Sequence, residues 1–187
     1  MKLLNKSLTI LAVGLGATAI AQSPVYVVSF GQGVAVNQAN KRAEFNYEVG
    51  KKRNPDNTVV NVGRFSFNTV AENANDRIKI VFERPEFLGV NAAGTVCEFG
   101  GRAVLTRMTP QGRREIQGRA DVRVEDKWNP TQGVEPPAEH PRDTIRVRFV
   151  VPRQNSTTPE VVFEFGGNVM RGNLAVRALP SNPGAGN

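Results

Sequence analysis

The side chains able to do catalytic chemistry are few. The chain of 187 residues holds one histidine, His140, and one cysteine, Cys97. A hydrolytic triad needs a histidine held between a nucleophile and a carboxylate, and His140 sits in a proline-rich stretch where nothing marks such an arrangement. No serine lies in a G-x-S-x-G elbow, and no motif surrounds Cys97 that would couple it to His140. One histidine and one cysteine do not make a zinc or copper cluster. Glycoside cleavage needs only two carboxylates at a fixed separation. Most acidic residues here, however, alternate with arginine along strand-like runs, where a solvated ion pair is the default. The residue set therefore predicts no catalytic residues and no cofactor, with a carboxylate-dependent polysaccharide hydrolase as the alternative.

Binding chemistry has more material. Trp128, the only tryptophan, stands between Lys127 and Asn129 in "DKWNPTQGVEPPAEHPRD". An indole there is either a stacking platform for a sugar or a partner surface, or a plug folded over one end of the domain. Arg119, Arg123, Arg146 and Arg148 form an arginine face that would either grip an anionic polymer or remain a solvated face diluted by its interleaved acids. Asp126 and Asp143, with Glu125 and Asn129 close by, mark the roots of the long loop. Oxygen ligands of this kind suit calcium, but turn capping of backbone amides explains the same residues without a metal. The tetrapeptide EFGG occurs at Glu98–Gly101 and again at Glu164–Gly167. A phosphate loop would need a helix after the glycines. Both copies instead run on in strand-like sequence, so the glycines are expected to mark bulges or bends behind buried Phe99 and Phe165.

The elements that must carry these residues are strands. From Val25 onward apolar and polar residues alternate with period two, and glycine, asparagine and proline fill the gaps. Candidate strands run over Val25 to Val36, Arg42 to Val49, Gly63 to Val70, Arg77 to Glu83, Thr95 to Thr106, Arg114 to Glu125, Thr144 to Val151, Glu160 to Phe165 and Leu174 to Leu179. The spacing predicts an all-β, single-domain antiparallel β-sandwich of about nine strands, with a β-barrel as the alternative. In "GRADVRVEDKW" Ala120, Val122 and Val124 share one face, and in "DTIRVRFVV" Ile145, Val147 and Phe149 do. A hairpin pairing Val124 with Ile145 would set Asp121 opposite Arg148 and Arg123 opposite Arg146. Pro130, Pro136, Pro137 and Pro141 keep the intervening loop out of a central strand.

The N-terminus "MKLLNKSLTILAVGLGATAIAQSP" carries Lys2 and Lys6, an uncharged apolar run from Leu8 and a closing Ala19-Ile20-Ala21, the layout of a secretory signal peptide. Cleavage after residue 21 would leave 166 of the 187 residues as one domain over 22–179, with a small turn-rich tail at 180–187. It would also lower the formal charge from +7 to +5. The expected product is secreted, extracellular or periplasmic, with no transmembrane segment in the mature chain. A basic protein outside the cytoplasm meets envelope glycans, anionic polymers or other surface proteins rather than nucleic acid. With one cysteine no internal disulfide forms, and Cys97 is either a buried thiol or a partner-linking one.

The order "SFGQGVAV", "KRAEFNYEVGKK", "GRFSFNTV", "RIKIVFE", "TVCEFGGRAVL", "GRADVRVEDKWNP", "RDTIRVRFV" and "FEFGGNVMRGNLAVRAL" resembles an uncharacterised all-β domain family of secreted bacterial proteins. The resemblance covers nearly the whole mature chain. It departs after Asp126, where Lys127-Trp128 and the proline-rich insert replace a compact glycine turn. The resemblance implies an accessory module of extracellular or surface proteins, with no catalytic residues to carry over. The expected function is a secreted, non-catalytic structural or ligand-binding module of the bacterial envelope or cell surface.

Overall fold

The computed structural model describes residues 25–70, 77–127, 142–153 and 156–178. The segment read as a signal peptide, Trp128 with His140 and most of the long loop, and the expected C-terminal tail lie outside the described residues. Within them are nine strands: β1 (Val25–Val36), β2 (Arg42–Arg53), β3 (Val59–Val70), β4 (Arg77–Phe82), β5 (Phe87–Val90), β6 (Val96–Thr109), β7 (Gly112–Glu125), β8 (Thr144–Val151) and β9 (Glu160–Val176). No helix among the described residues is long and apolar enough to cross a membrane.

The strands form one antiparallel sheet in the order β4-β3-β2-β1-β9-β8-β7-β6-β5, and β4 also pairs with β6. That pairing, from Arg77 opposite Met108 to Val81 opposite Val104, closes eight strands into a barrel and leaves β5 as an extra strand beside β6. The all-β expectation holds, and the barrel alternative replaces the sandwich. The reason is physical. Period-two alternation dictates one buried face per strand in either architecture, and only the β4–β6 register distinguishes a closed sheet from two packed ones.

Side chains fill the barrel interior, as an eight-stranded barrel allows. Phe45, Tyr47, Phe65, Phe67, Ile80, Phe99, Leu105, Val122, Val147 and Phe149 are all buried. Their rings interlock: Phe99 lies 5.0 Å from Tyr47, 6.1 Å from Phe65 and 6.2 Å from Phe82 between centroids. Phe67 meets Phe165 at 5.2 Å across the barrel. Burying each such side chain contributes about 1.5–3 kcal/mol. One polar cluster is admitted. Ser29 Oγ lies 3.1 Å from the Tyr47 hydroxyl and donates to the Ala175 carbonyl at 2.9 Å, so both buried hydroxyls are satisfied. Cys97 is fully buried beside them. Burial raises the Tyr47 phenol well above its ordinary value and pushes the Cys97 thiol up to about 12, so the thiol is protonated at neutral pH.

The hairpin expected of β7 and β8 forms in that register: Val124 faces Ile145, Asp121 faces Arg148 and Arg123 faces Arg146. Two expectations change. β5 is a four-residue strand with too short a pattern to stand out, and the last two expected strands are one continuous 17-residue β9. The EFGG glycines are neither bulges nor crossings between sheets. The ladders of β6 pass through Gly100 and Gly101 in unbroken register, and the irregularities of β9 lie elsewhere, opposite Phe149/Val150 and Val34/Ala35. What the glycines do mark is a change of neighbour. On one edge β6 pairs with β5 up to Gly100 and with β4 from Val104. β9 pairs with β8 up to Asn168 and with β1 from Asn168 onward.

Candidate ligand-binding groove

The outer face of β6–β9 is a ladder of charge. Alternation along β7 and β8 turns Ala120, Val122, Val124, Ile145, Val147 and Phe149 into the core and leaves the intervening arginines outside. Arg123 and Arg146 face each other across β7 and β8, a like-charge pairing that destabilises unless acids flank it. They do. Arg123 donates through Nη1 to Glu98 at 2.5 Å and through Nη2 to Glu125 at 2.9 Å. Lys127 Nζ also reaches Glu125, at 3.2 Å. Arg146 donates from Nε to Glu164 at 2.8 Å. The hydrogen bonds from Arg123, with Lys127 adding to them, hold the Glu125 carboxyl below its ordinary range, and the same contacts raise Arg123.

Arg123 and Arg146 also line a groove of about 530 Å³ on the outside of the barrel. Glu125 and Thr144 continue that wall. Gly166, Gly167 and Asn168 of β9 form the floor, and Asn37, Gln38 and Ala39 of the β1–β2 turn form the opposite side. The turn is held by its own first residue. Asn37 Oδ1 accepts from the Ala39 and Lys41 amides at 3.0 and 2.8 Å, and Asn40 takes the left-handed conformation at φ 58°, which asparagine tolerates better than most residues. Two adjacent glycines shape the floor differently. A Cβ at Gly167 would lie 2.8 Å from the Val36 carbonyl oxygen, so its absence lets β1 and β9 approach. A Cβ at Gly166 would meet nothing nearer than Arg146 Cγ at 4.0 Å, so that position is open space under the groove.

The other expected site residues stand apart. Arg119 pairs with Asp121 at 2.7 Å and lies 4.9 Å over the Phe87 ring, outside the groove lining. Arg148 is half-buried opposite Asp121 and Glu164, and its Nε is shielded from solvent without a hydrogen-bond partner. Asp126 is buried and its Oδ2 accepts the Val176 amide at 3.1 Å, while Asp143 Oδ1 accepts the Lys127 amide at 2.9 Å. These carboxylates tie the loop roots to β9 and to each other's neighbours through long-range bonds rather than by capping local turns. Among the described residues no three His, Cys, Asp or Glu side chains group as a metal site requires. Trp128 lies outside the described residues.

Sequence reasoning missed the Asn37–Lys41 turn and the groove floor. Their signals are an asparagine-rich turn, "VNQANK", and the second EFGG, each of which reads as local geometry until the register of β9 against β1 and β8 brings them together. The chain matches no family model, no curated protein and no solved structure.

Proposed function

We propose that the protein is a secreted, non-catalytic binding module of the bacterial envelope or cell surface, and that the groove over Gly166 and Gly167 holds its ligand, a glycan. The observation that carries this reading is the charge pairing of the groove. Arg123 and Arg146 are each bound to carboxylates, so the wall offers directional hydrogen bonds without a strong net field. A polyanion gains most from uncompensated cations. A neutral polyhydroxylated chain gains from fixed pairs of donors and acceptors such as Arg123 with Glu125 and the amides of Gln38 and Asn168. The signal-peptide layout and the resemblance to secreted accessory modules support the location.

The hydrolase reading has less behind it. A general acid needs a carboxyl whose pKa is raised, and Glu125, the carboxylate lining the groove, is held in the opposite direction by Arg123 and Lys127. The test is to fill the groove without disturbing the fold. Gly166→Tyr projects a ring into open space and should abolish retention on neutral cell-wall polysaccharide columns while the far-UV CD spectrum and Tm stay unchanged. Unchanged retention in a folded Gly166→Tyr protein, or retention by heparin alone that salt eliminates, would remove the groove from the account.

A further inference from the structure

The barrel is not paired along its whole circumference. β3 keeps β2 on one edge from Val59 to Thr69, yet its other edge meets β4 only from Phe65 onward. The cause is local. β4 has only six residues and its ladder ends with Phe82 opposite Phe65, while β3 runs on beside β2 through Gly63 at φ +137°, a conformation that side-chain-bearing residues rarely adopt. After Phe82 the chain turns off to make β5, which pairs with β6. Val59 to Arg64 therefore faces a seam bridged by Asn61 Nδ2 donating to the Glu86 carbonyl at 3.2 Å. Among the described residues no ladder satisfies that edge.

We propose that Val59–Arg64 is a strand-addition site for an extended acidic peptide of a partner protein. An unpaired strand edge supplies main-chain hydrogen bonds to a guest strand, and side chains alongside decide which guest. Here four cations stand against one cross-strand acid, Glu48, which lies opposite Arg64. Lys51, Lys52 and Arg53 end β2, in register with Asn61, Val60 and Val59, and Arg64 lies on β3 itself. None of the four forms an ion pair among the described residues, and Arg53 Nε is shielded from solvent without a hydrogen-bond partner. Exposed Val59, on β3 itself, gives an apolar contact for a guest side chain. The cations lie within a Debye length of a strand laid beside β3, about 8–10 Å at physiological salt, so they favour acids and oppose a second copy of this edge. The site is separate from the groove and does not rest on it.

The test uses the full secreted chain and three synthetic octapeptides: acetyl-(Glu-Val)4-amide, its lysine counterpart, and the acidic peptide with a central proline. Binding is read by fluorescence anisotropy, and the contact by amide hydrogen exchange. The expected result is saturable binding of the acidic peptide, at least tenfold weaker binding of the other two, and at least tenfold slower exchange confined to those amides of 59–64 that point away from β2. Lys52→Glu combined with Arg64→Glu, both surface changes, should weaken binding tenfold or more while Tm is maintained. Equal binding of acidic and lysine peptides, or protection elsewhere in the chain, would overturn the proposal. So would protection, in the free monomer, of those amides of 59–64 that point away from β2, which means that another part of the chain covers the edge. A dimer by light scattering with concentration-dependent protection of these amides would assign the edge to a second copy instead.

Discussion

Two neighbouring glycines of one tetrapeptide should respond oppositely to the same substitution. At Gly167 a methyl group would sit 2.8 Å from the Val36 carbonyl oxygen and 2.9 Å from the Phe165 ring. Real Cβ atoms do not approach backbone oxygen that closely, so β1 and β9 must separate where β9 passes from β8 to β1. Overpacking of this kind costs about 1–3 kcal/mol. At Gly166 the same methyl meets only Arg146 Cγ at 4.0 Å. Replacing a strand glycine there removes unfolded-state entropy and should leave stability unchanged or raise it by about 0.5 kcal/mol. For a domain of this size about 2 kcal/mol is a drop of roughly 4–8 °C in Tm. Urea unfolding of Gly166→Ala and Gly167→Ala, followed by fluorescence and by far-UV CD, reads both. The first EFGG supplies the control. Gly100 and Gly101 would place a Cβ 2.3 Å from the Ala120 carbonyl oxygen and 2.6 Å from the Arg84 carbonyl oxygen, so both alanine variants should be destabilised. Equal losses at Gly166 and Gly167, or none at either, would refute the reasoning that close strand approach fixes these glycines.

The core and its polar cluster make further claims. Phe99→Ala empties the centre of a four-ring contact and should cost about 3–5 kcal/mol in urea unfolding. Tyr47→Phe removes the hydroxyl partner of Ser29 while the Ala175 carbonyl still accepts from Ser29. It should cost about 1 kcal/mol and no more. The Cys97 thiol, pushed from 9.0 up to about 12 by burial, favours the protonated form in the folded state. Its contribution is therefore fully present below pH 9 and is lost as pH rises toward 12, at about 1.4 kcal/mol per pH unit. Urea midpoints measured from pH 8 to 11 should fall, and the fall should begin at higher pH in Cys97→Val. Native protein at pH 8 should resist thiol reagents that label it at once in urea. Finally, Arg123→Gln breaks exposed ion pairs to Glu98 and Glu125. It should change stability by less than about 1 kcal/mol, with the difference shrinking in 1 M salt.

Much of the fold was written locally in the chain. The alternation that puts Val122, Val124, Ile145 and Val147 inside also turns Arg123 and Arg146 outside, and it fixes the β7–β8 register because a slip of one residue would bury arginine. Barrel closure was not legible, since the β4–β6 ladder joins segments whose patterns fit either a barrel or a sandwich. β5 was lost to its length, and β9 to a glycine-rich middle that reads as a break. The groove shows the same division. Arg123 and Arg146 stood out as a charged face, but their partner Glu98 comes from the neighbouring β6 and Glu164 from β9. Only the assembled ladder shows that the arginines are neutralised rather than free to hold a polyanion. Asp126 and Asp143 show the same limit: their type suggested local turn capping, whereas the amides they accept belong to Val176 and Lys127, which only the assembled sheet brings near.

The groove's occupancy is the claim on which the functional account turns, and amide chemical shifts report it directly. Titrating the isotopically labelled protein with neutral cell-wall oligosaccharides should move resonances of Asn37–Ala39, Thr144, Arg146 and Gly166–Asn168 together along one saturable curve. The resonances of Val59–Arg64 and of the Arg119–Phe87 contact should stay in place. Shifts absent from the groove, or shifts of the groove that appear only with an anionic polymer and vanish with salt, would contradict the account.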